Sequence, residues 1–495
     1  MSTFGLELSD VSFLTARCTG DDCHLVDVAD RNGSPDWPGY CHADGANLSF
    51  GRLAEDLWFV HPRRIVHNFW ARLGHEPSTL AVSSKPPSSS ELAFFFLREF
   101  VGRLHHAAGS PEKVVLAIPG AYLKDPATEE EKVGLLLGMA AELKLPLAGL
   151  VDLACAALCD PRSPGFNPNL PVLVVDSGLE GTDLTLFSTR GRVARRDFLH
   201  LPQHGVAPLL KQLTSSFGNR FLRHTAFDIL EDGRIEQTFF RQTKDFLFGE
   251  AGEFRFVINT ATRTYEMVAK REQLAADAAP FVGAIVQNLQ SFQHASPHAA
   301  DPCTIALTHR AACLPGLEAR LRAAGCTRLL RLPRGAPAVG AARIGHLRLP
   351  VLRDLADAAV ETAVELAEAR TLIAAPWEAR LQKHRGGTTH QRPTHAILDG
   401  VGQPIDRNAR FVIGLAETAP DLALPAAFGA ADNCTITLSR DDGRWWFVDD
   451  AAAREGATHP GLSLRSPVEA GDRLVIRSGE HTAEILFAHC PARRD

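Results

Sequence analysis

Apolar and polar positions change rhythm several times along the chain, and each change predicts an element. "FGLEL" (residues 4–8) reads as a short apolar strand, and "CHLVDVAD" (23–30) alternates as its hairpin partner. "SSKPPSSSE" (83–91) punctuates, and residues 91–106 then carry helical spacing. "KVVLAIPGAY" (113–122) is a buried strand with a Pro-Gly stop. Residues 129–145 form a helix with Val133, Leu136, Leu137 and Ala140 on one face. "PLAGLVDLACAALCD" (146–160) holds a short strand and the start of another helix. The loop "SPGFNPNLP" (163–171) leads into "PVLVVDSGLEGTDLTLF" (171–187), an apolar run that meets an acid and two glycines before resuming as a strand.

From about 200 to 300 the pattern is more helical, with a strand pair near "EFRFVINTATRTYEMV" (253–268). "DPCTIALTH" (301–309) is again a buried strand, followed by the helix "PGLEARLRAAG" (315–325). The small residues of "APAVGAARIG" (336–345) let a helix approach another backbone closely, and Leu352, Leu355, Ala359, Ala363 and Leu366 define one face of a long helix. Strands alternating with helices indicate an α/β domain over residues 1–381. "QKHRGGTTHQRPT" (382–394) reads as a polar linker. Beyond it, residues 395–495 hold only short alternating runs, the pattern of an all-β sandwich or small barrel, with "RDDGRWW" (440–446) as a hairpin turning at Asp-Gly.

Composition narrows the functional classes. Hydrophobic residues make up 45% and charged residues 22% of 495, ordinary values for a globular chain. The net charge of −6 argues against a general nucleic-acid binder, which needs a basic surface. The apolar stretch 133–159 is broken by Glu142, Lys144 and Asp152, so no membrane span is expected. The N-terminal "MSTFGLELSD" carries acids where a secretory signal has basic residues, and the location expected is cytoplasmic. The ten cysteines follow no repeating frame and read as reduced thiols. Cys155 and Cys159 share a helix face, and Cys18, Cys23, Cys41, His24 and His42 form a zinc set on paper. Burial as ordinary small side chains is the favoured reading of both groups.

The order of motifs resembles the seventy-kilodalton heat-shock chaperones of the actin-like ATPase superfamily, over about residues 1–375. "FGLELSDVS" stands where that family has its first phosphate hairpin, and "VVLAIPGAY" is similar to its Val-Pro-Ala-Tyr strand. "GLVDLACAALCD" resembles its Asn-Glu-Pro-Thr-Ala-Ala-Ala helix start, and "VVDSGLEGTDLTLF" its second phosphate hairpin. "IALTHRAACLPGLEARL" resembles the adenosine strand and helix, and "APAVGAARIG" the closing segment. The resemblance implies an α/β two-lobed actin-like ATPase fold followed by an all-β sandwich domain.

A phosphate clamp of this kind needs glycines, so that backbone N–H groups reach the phosphate oxygens, and carboxylates for a hydrated magnesium ion. Carried over residue by residue, the resemblance assigns Asp176, Asp152 and Glu7 as catalytic if the site is active. It assigns Glu7, Asp176, Gly178, Asp183 and Lys244 to the cofactor, and Glu7 and Asp176 to magnesium. Around them the pattern departs from the family. Asp10 and Val11 replace two threonines, and Leu179, Glu180 and Gly181 replace Gly, Gly and Thr. Trp70 or Ala71, with Arg72 beside it, stands where the family has a lysine on the γ-phosphate. Thr308-His309 replaces a Gly-Gly pair, and Arg241 and Asp245 flank Lys244 where the family has Glu and Arg. Extra carboxylates and side-chain bulk oppose a triphosphate.

The C-terminal region resembles a forkhead-associated domain in its Ile-Gly strand, Trp-bearing hairpin and late Gly-Asp. Leu415 replaces the arginine after Ile-Gly, and "AADNC" (430–434) replaces the Ser-Arg-x-x-His signature, so phosphopeptide recognition is not expected. A chaperone substrate-binding β-domain is the rival assignment. Of Trp445 and Trp446, one is expected to face the core. The function expected is a heat-shock-chaperone-like pseudo-ATPase, a protein-binding or regulatory scaffold with an eroded ATP pocket. The alternative is a divergent ATP-binding chaperone with slow hydrolysis. The first needs no cofactor and the second needs ATP and magnesium. The partner expected is a protein, for which an intact chaperone of the same family is a candidate, with neither nucleic acid nor membrane.

Overall fold

The computed structural model describes the chain apart from residues 1, 21, 31–32, 34, 36, 46, 81–85, 164, 168–169, 190–191, 298–302, 348–359, 366–377, 383–391, 406–409, 416–419, 425–435, 442–443, 449–464, 479–480 and 490–495. It is a mixed α/β structure, in part built on parallel sheets, and it divides into two compact units, Met1–Leu372 and Ile373–Asp495. No helix among the described residues is long and apolar enough to cross a membrane.

The first unit opens with three antiparallel strands, β1 (Thr3–Glu7), β2 (Leu14–Thr19) and β3 (Asp22–Val26). The partner of β1 is thus β2, whereas alternation alone had pointed to residues 23–30. Those residues supply β3, one strand further out. Cys18 and Cys23 face each other across β2 and β3 and form a disulfide, which corrects the expectation of reduced thiols for that pair. A small sheet of β4 (Cys41–Asp44), β5 (Asn47–Phe50) and β6 (Ile65–Val66) surrounds the short helix α1 (Arg52–Glu55). Helix α2 (Ser89–Ala108) begins at Ser88, whose hydroxyl caps the Glu91 amide while the Glu91 carboxylate returns to the Ser88 amide. Strand β7 (Lys113–Ile118), helix α3 (Pro126–Glu142), strand β8 (Leu147–Asp152) and helix α4 (Leu153–Leu158) complete the first half.

The second half repeats the strand order of the main sheet with different insertions. Strands β9 (Val172–Ser177), β10 (Gly181–Ser188) and β11 (Arg192–Pro202) are antiparallel. Helices α5 (Val206–Thr225) and α6 (Gly233–Phe248), the hairpin β12 (Glu253–Asn259)–β13 (Thr264–Lys270) and helix α7 (Arg271–Ala295) follow. Then come β14 (Thr304–Leu307), the helices α8 (His309–Ala312) and α9 (Leu317–Ala323), β15 (Leu329–Arg331) and α10 (Ala336–Leu347). The two sheets read β3-β2-β1-β7-β8 and β11-β10-β9-β14-β15. In each, three antiparallel strands are extended by two parallel ones, so one topology occurs twice in the chain.

Each sheet carries an added edge strand, β16 (Val360–Glu361) on β8 and β17 (Ala363–Glu365) on β11. The helix expected on Leu352, Leu355, Ala359, Ala363 and Leu366 is therefore overturned at Ala363, which lies in β17. The other four positions fall outside the described residues. Two free sheet edges claim this segment, and the gain from edge pairing exceeds a helical preference read from spacing alone.

The halves meet where α4 and α10 cross. Here the expectation of a close backbone approach holds: a Cβ on Gly340 would lie 1.8 Å from the Ala156 carbonyl oxygen, and one on Gly5 2.0 Å from that of Ala338. Val115, Val151, Cys155, Val174, Ala306 and Ile344 fill the space around this crossing.

The second unit holds β18 (Glu378–Gln382), β19 (His395–Leu398), β20 (Val401–Pro404), β21 (Arg410–Leu415), β22 (Leu422–Leu424), β23 (Ile436–Asp441), β24 (Arg444–Val448), β25 (Arg465–Val468), β26 (Arg473–Ser478) and β27 (His481–Ala488). They form two five-stranded sheets, β18-β26-β27-β19-β20 and β22-β21-β23-β24-β25, that share one apolar cluster. Strand β18 pairs with β26, so the division falls ahead of the sequence-based boundary at 381, and most of the proposed linker lies outside the described residues. Strands β23 and β24 pair across two residues, Asp441 opposite Arg444, as the Asp-Gly hairpin requires. Trp445 is buried in the common core and Trp446 only partly so. The "AADNC" segment lies outside the described residues.

Candidate functional site

The connections β1–β2 and β9–β10 come together between the two sheets of the first unit, and α8 inserts beside them. Thr308, at the end of β14, caps α8 and donates its hydroxyl hydrogen to Asp176 Oδ1 at 2.7 Å. Arg310, two residues on, is buried, and its guanidinium joins the halves. One end donates to Glu7 at the end of β1, and the other to Asp176 Oδ1 on β9 at 2.9 Å. Burial pushes the Glu7 carboxyl up, while Arg310 pulls it down. Arg310 is held protonated above the usual arginine range, its own burial being outweighed by Asp176 and Glu7.

Beside this bridge, Asp10 Oδ1 accepts a hydrogen bond from the Leu179 amide at 2.7 Å. Burial raises the Asp10 carboxyl to about 7, against the pull of the Leu179 amide and of Arg310, with Glu180 and Asp176 adding to the rise. A second contact to the β9–β10 turn comes from His67, just after β6, whose Nδ1 meets Glu180 Oε1 at 2.6 Å. Leu179 itself is buried in a cluster with Tyr40, Ala54, Ile65 and Ala207. Leu179 thus fills the apolar space beneath the turn.

The structure separates the remaining candidates. Gly178 is in the turn, its amide donating to the Gly181 carbonyl at 2.8 Å, and a Cβ there would stand 3.2 Å from Asp10 Oδ1. Asp183 pairs with His200 Nδ1 at 2.7 Å and accepts from the Ala121 amide at 3.3 Å. Burial raises Asp183, and the hydrogen bond that His200 donates to Asp183 raises His200. Asp152 is elsewhere: it caps α4 through the Cys155 amide at 3.0 Å and binds Arg195 Nη1 at 2.6 Å. Lys244 is also engaged away from Asp176, its Nζ on both oxygens of Glu55 at 2.7 and 2.8 Å, while Arg241 meets Asp56 at 3.1 Å. Arg72 is exposed and Trp70 is buried.

Of the assigned set, then, Glu7 and Asp176 are brought together, Gly178 and Asp183 flank them, and Asp152 and Lys244 are committed to other partners. Sequence reasoning missed Arg310. Its signal was present: a lone arginine among alanines at the start of a helix, directly after a buried strand, must find buried acceptors.

A hydrated magnesium ion does not fit the residues as they stand, because the two carboxylates that would orient it are bridged by a fixed guanidinium. A phosphate on the Leu179 amide would have to displace Asp10. Among the described residues, no group of three or more His, Cys, Asp or Glu side chains is placed to hold a metal ion. Cys41 packs in the core, while His42 on the same strand stacks on His61 with ring centroids 5.5 Å apart. Cys155 and Cys159 are both buried. No protein-family model matches the chain, and no curated protein matches it.

Proposed function

We propose that the first unit is an actin-like nucleotide clamp of the heat-shock-chaperone kind whose cleft is occupied by its own side chains, and that the protein acts by binding a protein partner rather than by turning over ATP. The observation that carries this reading is Arg310 between Glu7 and Asp176. In a working clamp the charge balancing those carboxylates is an exchangeable metal ion that arrives with the nucleotide. Here it is part of the chain and cannot leave.

The repeated strand order of the two sheets supports the fold assignment. Asp10 on the Leu179 amide puts a carboxylate where a phosphate would be held, and Glu180 adds a second negative charge nearby. On this reading the second unit is a forkhead-associated-like sandwich without the phosphate-binding arginine, and its two sheets with one core agree with that. The protein is cytoplasmic on the same reading, with an intact chaperone of the family as a candidate partner.

Titration calorimetry of the full chain with Mg-ATP and Mg-ADP tests the reading, with no binding heat expected. A dissociation constant below about 1 mM, a binding free energy beyond about −4 kcal/mol, would overturn it in favour of a divergent ATP-binding chaperone. Loss of that binding in Asp176→Asn would place the nucleotide in this cleft.

A further inference from the structure

We propose that the contact joining the β1–β2 and β9–β10 turns is a proton-operated latch: with a proton on Asp10 the turns are held together, and raising the pH loosens them and uncovers the apolar cluster beneath.

The geometry carries the proposal. Asp10 of the β1–β2 turn reaches the Leu179 amide in the β9–β10 turn, and His67, which follows β6, meets Glu180 of the same turn. Asp10 is fixed from behind, its carbonyl accepting from the Gly39 amide at 2.6 Å. His67 lies against Tyr40 and Trp58, with ring centroids at 5.3 and 4.9 Å, so its ring is held over the apolar cluster that contains Leu179.

The charges facing the latch decide the direction. Asp10 is faced by Glu180 from the β9–β10 connection, Asp176 from β9, Arg310 from α8, His200 from β11, and the hydroxyls of Tyr40 and Tyr122. Arg310 is already shared between Glu7 and Asp176. With its proton in place, Asp10 is neutral and adds no charge beside Glu180. Without it, Asp10 and Glu180 are two like charges in a sparsely solvated seam. Like charges at low dielectric repel strongly. The elevation of the Asp10 carboxyl to about 7 sets the loosening near neutral pH.

Hydrogen exchange of the Leu179 amide tests this in the full chain without nucleotide, so the outcome is independent of whether the cleft binds ATP. Expressed as a protection factor, to remove the intrinsic pH dependence of exchange, protection should fall about tenfold or more between pH 6 and 8.5, the equivalent of one unit of proton linkage. The amides of Leu173 and Val175 within β9 should hold theirs. In Asp10→Asn, which keeps polar atoms in place without a carboxyl to ionise, the fall should shrink below about threefold. Glu180→Gln, which removes the repelling charge alone, should reduce it as well and serves if Asp10→Asn does not fold. Constant protection in the unmodified chain, or an equal fall in every variant, would overturn the proposal.

Discussion

The guanidinium of Arg310 donates to the carboxylate of Glu7, 303 residues earlier in the chain, and so ties the first strand of one sheet to the helix that follows the fourth strand of the other. Glu7 has no exposed side-chain surface and Asp176 little, so neither carboxylate has water as a substitute partner.

Removing the cation should therefore cost far more than an ordinary surface ion pair. Arg310→Met is expected to lower stability by about 3–5 kcal/mol, the cost of leaving buried charge uncompensated. Adding Glu7→Gln and Asp176→Asn should recover most of it, since the pair is replaced rather than broken. Urea unfolding of the full chain gives both values. A single variant as stable as the parent would show that the bridge carries no structural load.

Asp10 gives the unfolding equilibrium a defined pH dependence. Its folded carboxyl lies at about 7, against an ordinary aspartate near 3.8, so between those values the folded protein holds a proton that the unfolded chain has released. The contribution is full below pH 4 and is lost as pH rises through 7. It amounts to at most about 4 kcal/mol at about 1.4 per unit. In Asp10→Asn this part of the pH profile should be flat, measured as the difference between variant and parent urea midpoints from pH 4 to 8. An unchanged slope would place the titrating group elsewhere.

The parts of this fold that show in the sequence are those decided locally. The apolar runs of β7, β9 and β14 and the capping pair Ser88–Glu91 announce themselves within a few residues. Strand β2 did not, because its residues alternate no better than those of β3, and a hairpin partner is chosen by register as well as composition. The edge strands β16 and β17 were hidden for a related reason: what makes them strands is a free edge supplied by residues far away. At the site, Glu7, Asp176 and Gly178 were named from the sequence, and the structure brings Glu7 and Asp176 together with Gly178 beside them. Arg310 could be read as an arginine in need of buried acceptors, but its partners could not, since they lie 134 and 303 positions away and leave no spacing to read. The partner of Lys244, Glu55, is hidden in the same way, 189 residues distant.

The Lys244–Glu55 contact makes a separate prediction about what closes the first unit. The Glu55 side chain is 3% exposed and receives Lys244 and Arg52, while Gln237 holds the Glu55 carbonyl at 3.0 Å. Lys244→Met should cost about 3 kcal/mol, because one of two cations on a buried carboxylate is lost. Glu55→Gln added to it should restore about half. A thermal melt reads this as a shift of several degrees. No shift would mean that Arg52 alone satisfies Glu55.

Two glycines should respond oppositely to the same small addition. Gly340 lies where α10 crosses α4, and a Cβ there would meet the Ala156 carbonyl oxygen at 1.8 Å, with backbone on the far side and no flexible side chain to yield. Gly340→Ala must push the helices apart and with them the apolar filling around Cys155 and Ile344, at a cost of about 3 kcal/mol or more. Gly102 lies in the body of α2 with nothing within 4 Å of the added carbon. Gly102→Ala removes backbone freedom from the unfolded chain and should gain about 0.5–1 kcal/mol. Paired urea unfolding of the two variants checks the contrast. Gly340→Ala at parental stability would mean that the crossing of α4 and α10 is looser than its geometry requires, and the joint between the repeated halves would have to be held elsewhere.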